Sequence, residues 1–161
     1  MSGPPPAGPR LVTVRIKGLP LEVYRRASEH SDELLREFAL IREQGSGHVP
    51  DRLLALIEEL NARFAAFTQG PTYALQQALD RGDLEIDLLY EVPAEAADAA
   101  RRLGTLLDEA DDFCRAGDLL TLATVPESLA FRRWFLEEFA LQIEGRPPRT
   151  WSAFMEGAAQ G

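Results

Sequence analysis

The sequence is poor in the residues that form covalent cross-links and metal sites. Among its 161 residues there are one cysteine, Cys114, and two histidines. One cysteine excludes both an internal disulfide and a cysteine-based zinc site, and an unpaired thiol is typical of a reducing compartment. No Glu-x-x-His or His-x-x-x-His pair is present, which excludes a di-iron carboxylate bundle. We therefore expect neither a metal nor a cofactor.

Several signatures of catalysis are also missing. Lys17 is the only lysine, which removes most Schiff-base and lysine-nucleophile chemistry. There is no G-x-S-x-G nucleophile elbow, no phosphate-binding loop that ends in Lys-Ser or Lys-Thr, and no G-x-G-x-x-G after a strand. These absences predict a protein that is not an enzyme. Arginine supplies the other basic residues, and its abundance beside alanine, leucine and proline indicates a GC-rich bacterial gene.

The chain has no long apolar run and no excess of positive charge. No stretch approaches the roughly 20 apolar residues that span a bilayer, and residues 1–10 lack the apolar core of a secretory signal. The formal net charge of -9 repels nucleic acid phosphates and anionic lipids. We expect a cytoplasmic protein with no nucleic acid or membrane partner.

The composition that remains is that of one globular domain. Hydrophobic residues make up 45% and charged residues 27%, which suits a chain of this length that buries its own core. We expect a disordered Pro-rich tail over residues 1–10 and a single α+β domain over 11–145. Residues 146–161 form a C-terminal tail that either packs on the domain, through Trp151 and Phe154, or is disordered.

Three segments carry the pattern of strands. Val12, Val14 and Ile16 alternate with polar residues, and residues 84–90 alternate in the same way. A third segment, 119–125, follows a Gly-Asp pair and precedes a proline. The last two strands are expected to be parallel if they are neighbours.

Apolar residues at spacings of three and four predict the helices. The expected ranges are 21–44, 50–69, 72–81, 94–116 and 127–144, with Gly70-Pro71 separating the second from the third. The helix over 127–144 is apolar nearly all round, so it is either central or has a face that awaits a partner. The predicted fold is mainly helical α+β, with a small sheet of about three strands packed on a helical bundle. The alternative is an all-α four-helix bundle.

Six residues are candidates for a binding site. They are Arg25, Arg26, His30, Arg132, Arg133 and Trp134. Paired arginines can grip a phosphate or a partner's carboxylate, although a local ion pair with Glu137 also explains Arg133. His30 stands among acidic residues, which could make it a base or a phosphoacceptor; the alternative is a solvated histidine beside the packing stripe.

Two stretches carry a resemblance to a known family. RIKGLPLEVYRRASEHSDELLREFALI (15–41) and LATVPESLAFRRWFLEEFALQ (122–142) resemble an uncharacterised family of small bacterial proteins encoded beside anti-sigma regulatory ATPases and STAS-domain antagonists. The resemblance implies a role in partner-switching regulation of stress transcription. A protein of one of those two kinds would be the partner. The resemblance assigns no function to any particular residue of this sequence.

Three functions remain as hypotheses. The first is a non-enzymatic regulatory or adaptor protein that acts by protein–protein interaction, including as a homodimer. The second is a small-molecule sensor with a pocket between sheet and helices, lined by residues such as Tyr24, Phe64 and Trp134. The third is a phosphotransfer protein that uses His30.

Overall fold

The chain folds into five helices and two strands within the part that the structure describes. The computed structural model describes residues 3–5, 8, 10–43, 48–117, 119 and 122–160. The elements in chain order are β1 (Leu11–Pro20), α1 (Leu21–Glu43), α2 (His48–Arg81), β2 (Glu85–Pro93), α3 (Ala96–Ala116), α4 (Pro126–Ile143) and α5 (Trp151–Ala159). The predicted mainly helical α+β class is confirmed, with a smaller sheet than expected.

The sheet is an antiparallel pair of strands that are far apart in sequence. Leu11 of β1 lies opposite Pro93 of β2, and Pro20 lies opposite Glu85. Alternation buries one face, and the other faces solvent. The register shifts between Ile16 and Leu19, next to Gly18, whose φ of 67° suits a residue without a side chain. This bulge lets β1 run through to Pro20.

The predicted third strand is wrong for the residues that the structure describes. Residues 119 and 122–125 form turns and irregular chain, whereas Asp118, Leu120 and Thr121 lie outside the described residues. The N–H of Leu119 donates to the carbonyl of Cys114, and that of Leu122 donates to Leu119. Because these donors are used locally, they do not pair with a neighbouring strand, and the expected parallel pairing does not form.

The predicted interruption at Gly70-Pro71 is also wrong. Helix α2 runs without a break from His48 to Arg81 and contains Pro71. A proline in a helix removes one hydrogen bond and crowds the preceding turn. Here Phe67 and Ala74, on either side of the proline, pack against the core, and this tertiary burial outweighs the local preference.

The core consists of two hydrophobic clusters. The first joins the inner face of the sheet to α4, with Trp134 at its centre, and the second lies among α1, α2 and α3, with Phe38 fully buried. Helix α4 contacts α1, α3, α5 and β1, so it is the central helix of the domain. No helix in the described ranges is both long and apolar enough to cross a membrane.

The C-terminal segment packs on the domain as a short helix. The Thr150 side chain caps α5 by accepting a hydrogen bond from the Ala153 N–H at 3.1 Å. Trp151 and Phe154 lie against the first core cluster. The contacts of this segment with the domain run through Arg149, Trp151 and Phe154.

Candidate functional site

A cavity of about 300 Å³ lies between α1, α3 and α4. We call it the α1–α3–α4 cavity. Its apolar wall is formed by Tyr24, Ala27, Leu34, Leu103, Leu107, Phe131, Phe135 and Leu136. Its polar wall is formed by Ser28, His30, Ser31, Thr124, Ser128 and Arg132. Six of these fourteen residues lie on α1, so this helix is the largest contributor.

The cavity exists because α1 presents small side chains where the two core clusters meet. Tyr24 and Ala27 pack on the first cluster, while Leu34 belongs to the second. Between them, Ser28 and Ser31 continue the same helical face but are too short to reach α3 and α4. The space that larger residues would fill therefore remains open.

His30 brings an unpaired nitrogen to this region. The ring lines the cavity, and its Nε2 is buried with no hydrogen-bond partner among the described residues. A buried polar atom without a partner costs about 1–3 kcal/mol, so such atoms are uncommon in folded proteins. The predicted alternative of a fully solvated histidine does not describe this nitrogen. Its enclosure also makes Nε2 a poor phosphoacceptor in this conformation.

A charged network closes the cavity on the side of Arg132. The Arg132 Nη2 contacts Asp108 Oδ1 at 2.7 Å and Asp111 Oδ2 at 3.0 Å, and Nη1 donates to Thr124 Oγ1 at 3.3 Å. Asp111 is only 3% exposed and accepts two further hydrogen bonds, from the N–H and the hydroxyl of Thr124. Two carboxylates thus surround one guanidinium.

The same network sets the protonation of its acidic member. Burial raises the pKa of Asp111, but the hydrogen bonds from Thr124 and Arg132 outweigh burial, and the pKa lies below its usual value. Nearby, burial and then the charge of Asp111 raise the pKa of the Cys114 thiol. Cys114 is fully buried, so it is a structural thiol and not a reactive one.

The structure places three of the four candidate arginines in internal ion pairs. Arg25 pairs with Glu22 and Glu29 on its own helix, and Arg26 pairs with Glu127 at the start of α4. Arg132 is held by the two aspartates described above. These pairs account for the three arginines without a bound phosphate.

Arg133 differs from its neighbour. It is exposed and has no ion pair within the described part of the chain. The predicted pair with Glu137 does not form, because Glu137 contacts Arg149 at 3.0 Å. Arg133 borders a groove of about 540 Å³ between α3 and α4, on the other side of Arg132 from the cavity.

Trp134 is an internal residue and cannot touch a partner directly. Its side chain is fully buried, and Nε1–H donates to the carbonyl oxygen of Arg149 at 3.1 Å. Trp151 packs against its ring. The sequence predicted Trp134 as a binding residue and as part of a pocket, and the structure corrects both: neither Trp134 nor Phe64 lines the cavity, whereas Tyr24 does.

A groove between α2 and α3 is a charged surface. It has a volume of about 720 Å³ between α2 and α3, and its arginines face acidic partners: Arg52 pairs with Glu109 and Arg102 with Glu59. Within the described residues no three side chains of the metal-binding types come together. Asp108 on α3 pairs with Arg132.

Sequence reasoning found His30 and Arg132 but missed their polar neighbours. Thr124 was assigned to a strand, and buried Ser128 lies among apolar residues in a helix, where a serine gives no signal. The signal that was available was the run of small residues on one face of α1. Comparison of the chain with family models, with curated proteins and with solved structures gives no match.

Proposed function

We propose that the chain binds a small molecule in the α1–α3–α4 cavity. One observation carries the proposal: a largely apolar cavity of about 300 Å³ lies where three helices meet, and its wall also carries the polar residues Ser28, His30 and Ser128. Ligand pockets typically combine an apolar wall with a few polar groups that fix orientation.

The size of the cavity sets the size of the ligand. Its volume of about 300 Å³ is at the lower end of the range for ligand pockets. It is also about twice that of an engineered cavity that takes one benzene molecule. A ligand of about a dozen non-hydrogen atoms therefore fits, the size of a bicyclic aromatic compound. The rings of Tyr24, Phe131 and Phe135 supply aromatic wall for such a ligand.

The position of the cavity supports a role as a sensor. A ligand there would touch three helices at the junction of the two core clusters, so its binding would favour one relative packing of α1, α3 and α4. This change in the packing of α1, α3 and α4 would alter the outer surface that these helices form. The regulatory and partner-switching role, with a protein partner or a second copy of the chain, stays a hypothesis about the output of this sensor.

The test is to fill the cavity. Ser28→Leu places an apolar side chain in the space next to His30, and we expect it to abolish binding of 2-naphthol while the fold is kept. Ser152→Leu is the matched control, because Ser152 is exposed on α5. Binding is measured by NMR titration of backbone amides and by calorimetry. Equal affinity in Ser28→Leu and the wild type would exclude this cavity as the binding site.

A further inference from the structure

We propose that the free edge of strand β2 binds an extended, basic segment of a partner protein as a third, antiparallel strand. This interaction surface is distinct from the α1–α3–α4 cavity and does not depend on a ligand there. The open backbone groups of the edge and the charges of its exposed side chains point to this partner.

The backbone of β2 offers hydrogen-bonding groups along the edge that faces away from β1. The N–H and the carbonyl group of Arg15 bond to the side chain of Gln142, so they point away from β2. Arg15 lies opposite Leu89, and the two residues therefore form a pair without mutual hydrogen bonds, in which Leu89 also turns its groups outward. Because this pattern repeats at every second residue, Asp87, Leu89 and Glu91 all present an N–H and a carbonyl group at the free edge.

The described part of the chain leaves these groups open. No hydrogen bond among the described residues joins the backbone of Asp87, Leu89 or Glu91 to another element, and β2 has no second strand beside it there. All three residues are exposed, Leu89 to 47%. An open edge of this kind is where an extended peptide adds to a sheet through main-chain hydrogen bonds.

The exposed side chains of β2 favour a basic partner. Glu85, Asp87 and Glu91 alternate along the strand on the same face as Leu89, and none of the three forms an ion pair within the described ranges. Asp87 Oδ1 accepts a hydrogen bond from the Gly18 N–H at 2.7 Å and keeps its negative charge. An arginine or lysine at every second cross-strand position of the partner would face these carboxylates, with an apolar residue opposite Leu89.

The basic residues of the sheet lie farther from such a partner. Arg15 and Lys17 are exposed on β1. A third strand lies about 4.8 Å from β2 and about twice that distance from β1. The carboxylates of β2 are therefore the nearest charges that the partner meets.

A second copy of the chain fits this edge less well. Antiparallel pairing of two β2 strands about Leu89 would place Asp87 of one copy opposite Glu91 of the other. Like charges that lie directly opposite each other on neighbouring strands are destabilising. The acidic residues thus oppose self-pairing while they attract a basic strand.

A blocked peptide tests the addition of a strand: acetyl-Thr-Arg-Thr-Leu-Thr-Arg-Thr-amide, with its leucine opposite Leu89. We expect it to bind in calorimetry and to slow the hydrogen exchange of the Leu89 and Glu91 amides. Methylation of the leucine nitrogen removes a donor that faces β2 and should weaken binding at least about tenfold. Methylation of the preceding threonine nitrogen, whose N–H points away from β2, is the matched control and should change the affinity by less than about twofold.

The charges are tested on both molecules. A peptide with glutamate in place of both arginines should bind at least about tenfold more weakly. Glu91→Arg should weaken binding of the arginine peptide about fivefold and strengthen binding of the glutamate peptide by a similar factor. Glu33→Arg, at an exposed position on α1, is the control and should change neither affinity by more than about twofold.

Each other outcome overturns part of the proposal. Equal affinities of the two methylated peptides, or no binding of the arginine peptide up to about 1 mM, would exclude the addition of a strand. Equal affinities of the arginine and glutamate peptides would exclude selection by charge. A homodimer with the same amides protected in the absence of peptide would assign this edge to a second copy of the chain.

Discussion

The carboxamide of Gln142 makes two hydrogen bonds to the backbone of Arg15. They are the same two bonds that a residue of a neighbouring strand would make. Its Oε1 accepts from the backbone N–H of Arg15 at 2.8 Å, and its Nε2 donates to the carbonyl oxygen of Arg15 at 2.8 Å. Helix α4 thereby covers the edge of β1 that does not face β2. A sheet of only two strands has both edges open, and at this point a side chain closes one of them.

We predict that Gln142→Leu destabilises the protein by about 2–3 kcal/mol. The substitution keeps the volume but removes both hydrogen bonds to the part-buried backbone of Arg15 and the bond from Nε2 to the buried Glu138 Oε1 at 3.1 Å. Urea unfolding followed by circular dichroism measures the change. The control is Gln76→Leu on the exposed face of α2, which should cost less than about 0.5 kcal/mol. Equal effects of the two substitutions would contradict the strand-like role of Gln142.

The second prediction concerns acid stability. Because the pKa of Asp111 is lower in the folded than in the unfolded chain, its stabilising contribution is complete above its ordinary pKa, near about 4. That contribution is lost as the pH falls through the lowered folded pKa. Asp111→Asn should cost about 2 kcal/mol at neutral pH and should flatten the loss of stability below about pH 4.

Unfolding in urea at a series of pH values checks this prediction. Asp112→Asn is the control, since the Asp112 side chain is 81% exposed on the same helix. If Asp111→Asn and the wild type lose stability in parallel on acidification, the network around Arg132 does not set the pKa of Asp111.

The third prediction concerns the buried carboxylate of Glu138. This residue is 1% exposed, and it accepts hydrogen bonds from the backbone N–H of Arg149 at 2.7 Å and from its Nε at 3.0 Å. Arg149→Met removes the countercharge and should cost about 3 kcal/mol. Adding Glu138→Gln should recover part of that loss, because a neutral amide needs no countercharge.

Thermal and urea unfolding of both single variants and of the double variant form a double-mutant cycle. Arg146→Met, at an exposed position in the same segment, is the control and should have little effect. Additive losses in the cycle would mean that Glu138 and Arg149 do not act as a pair.

Two glycines give opposite predictions for the same substitution. Gly157 is an exposed residue of α5, and a Cβ there would meet nothing within 4 Å, so Gly157→Ala should stabilise by about 0.5–1 kcal/mol. Gly82 has a φ of +74° at the end of α2, so Gly82→Ala should destabilise by about 1 kcal/mol. Thermal unfolding of both variants checks this. A loss of stability in Gly157→Ala would contradict the helical conformation of α5 at this residue.

The sequence predicted most elements because their apolar periodicity is strong. The alternation in β1 and β2 and the stripes on α1, α3 and α4 follow from local spacing alone. The errors arose where tertiary contacts decide. Gly70-Pro71 has the local pattern of a helix break, but Phe67 and Ala74 pack on the core and keep the helix continuous. Residues 119–125 are apolar enough for a strand, but the N–H groups of Leu119 and Leu122 donate to nearby carbonyl groups instead.

The site was predictable only in part. His30 and Arg132 could be identified by residue type. A cavity, however, forms where the side chains of three helices do not contact one another, and the sequence does not give those contacts. Ser28 and Ser31 line the cavity together with Leu103 and Phe135 of other helices, and the space between them is set by helix packing. The burial of Trp134 likewise depends on the C-terminal segment, which is distant in sequence.

Strand β1 is covered by α4 and α5, which follow it much later in the sequence. β1 pairs with β2 and contacts both α4 and α5, so no partner of its buried face is near it in sequence except α1. During synthesis, the side chains of Val14 and Ile16 stay exposed to solvent until α4 has left the ribosome. The side chain of Trp134 stays exposed until α5 has done so. The helical hairpin of α1 and α2 can form early, whereas closure of the sheet is a late and slow step that is open to chaperone capture. A ribosome stalled before residue 151 would therefore hold a chain still sensitive to protease around β1.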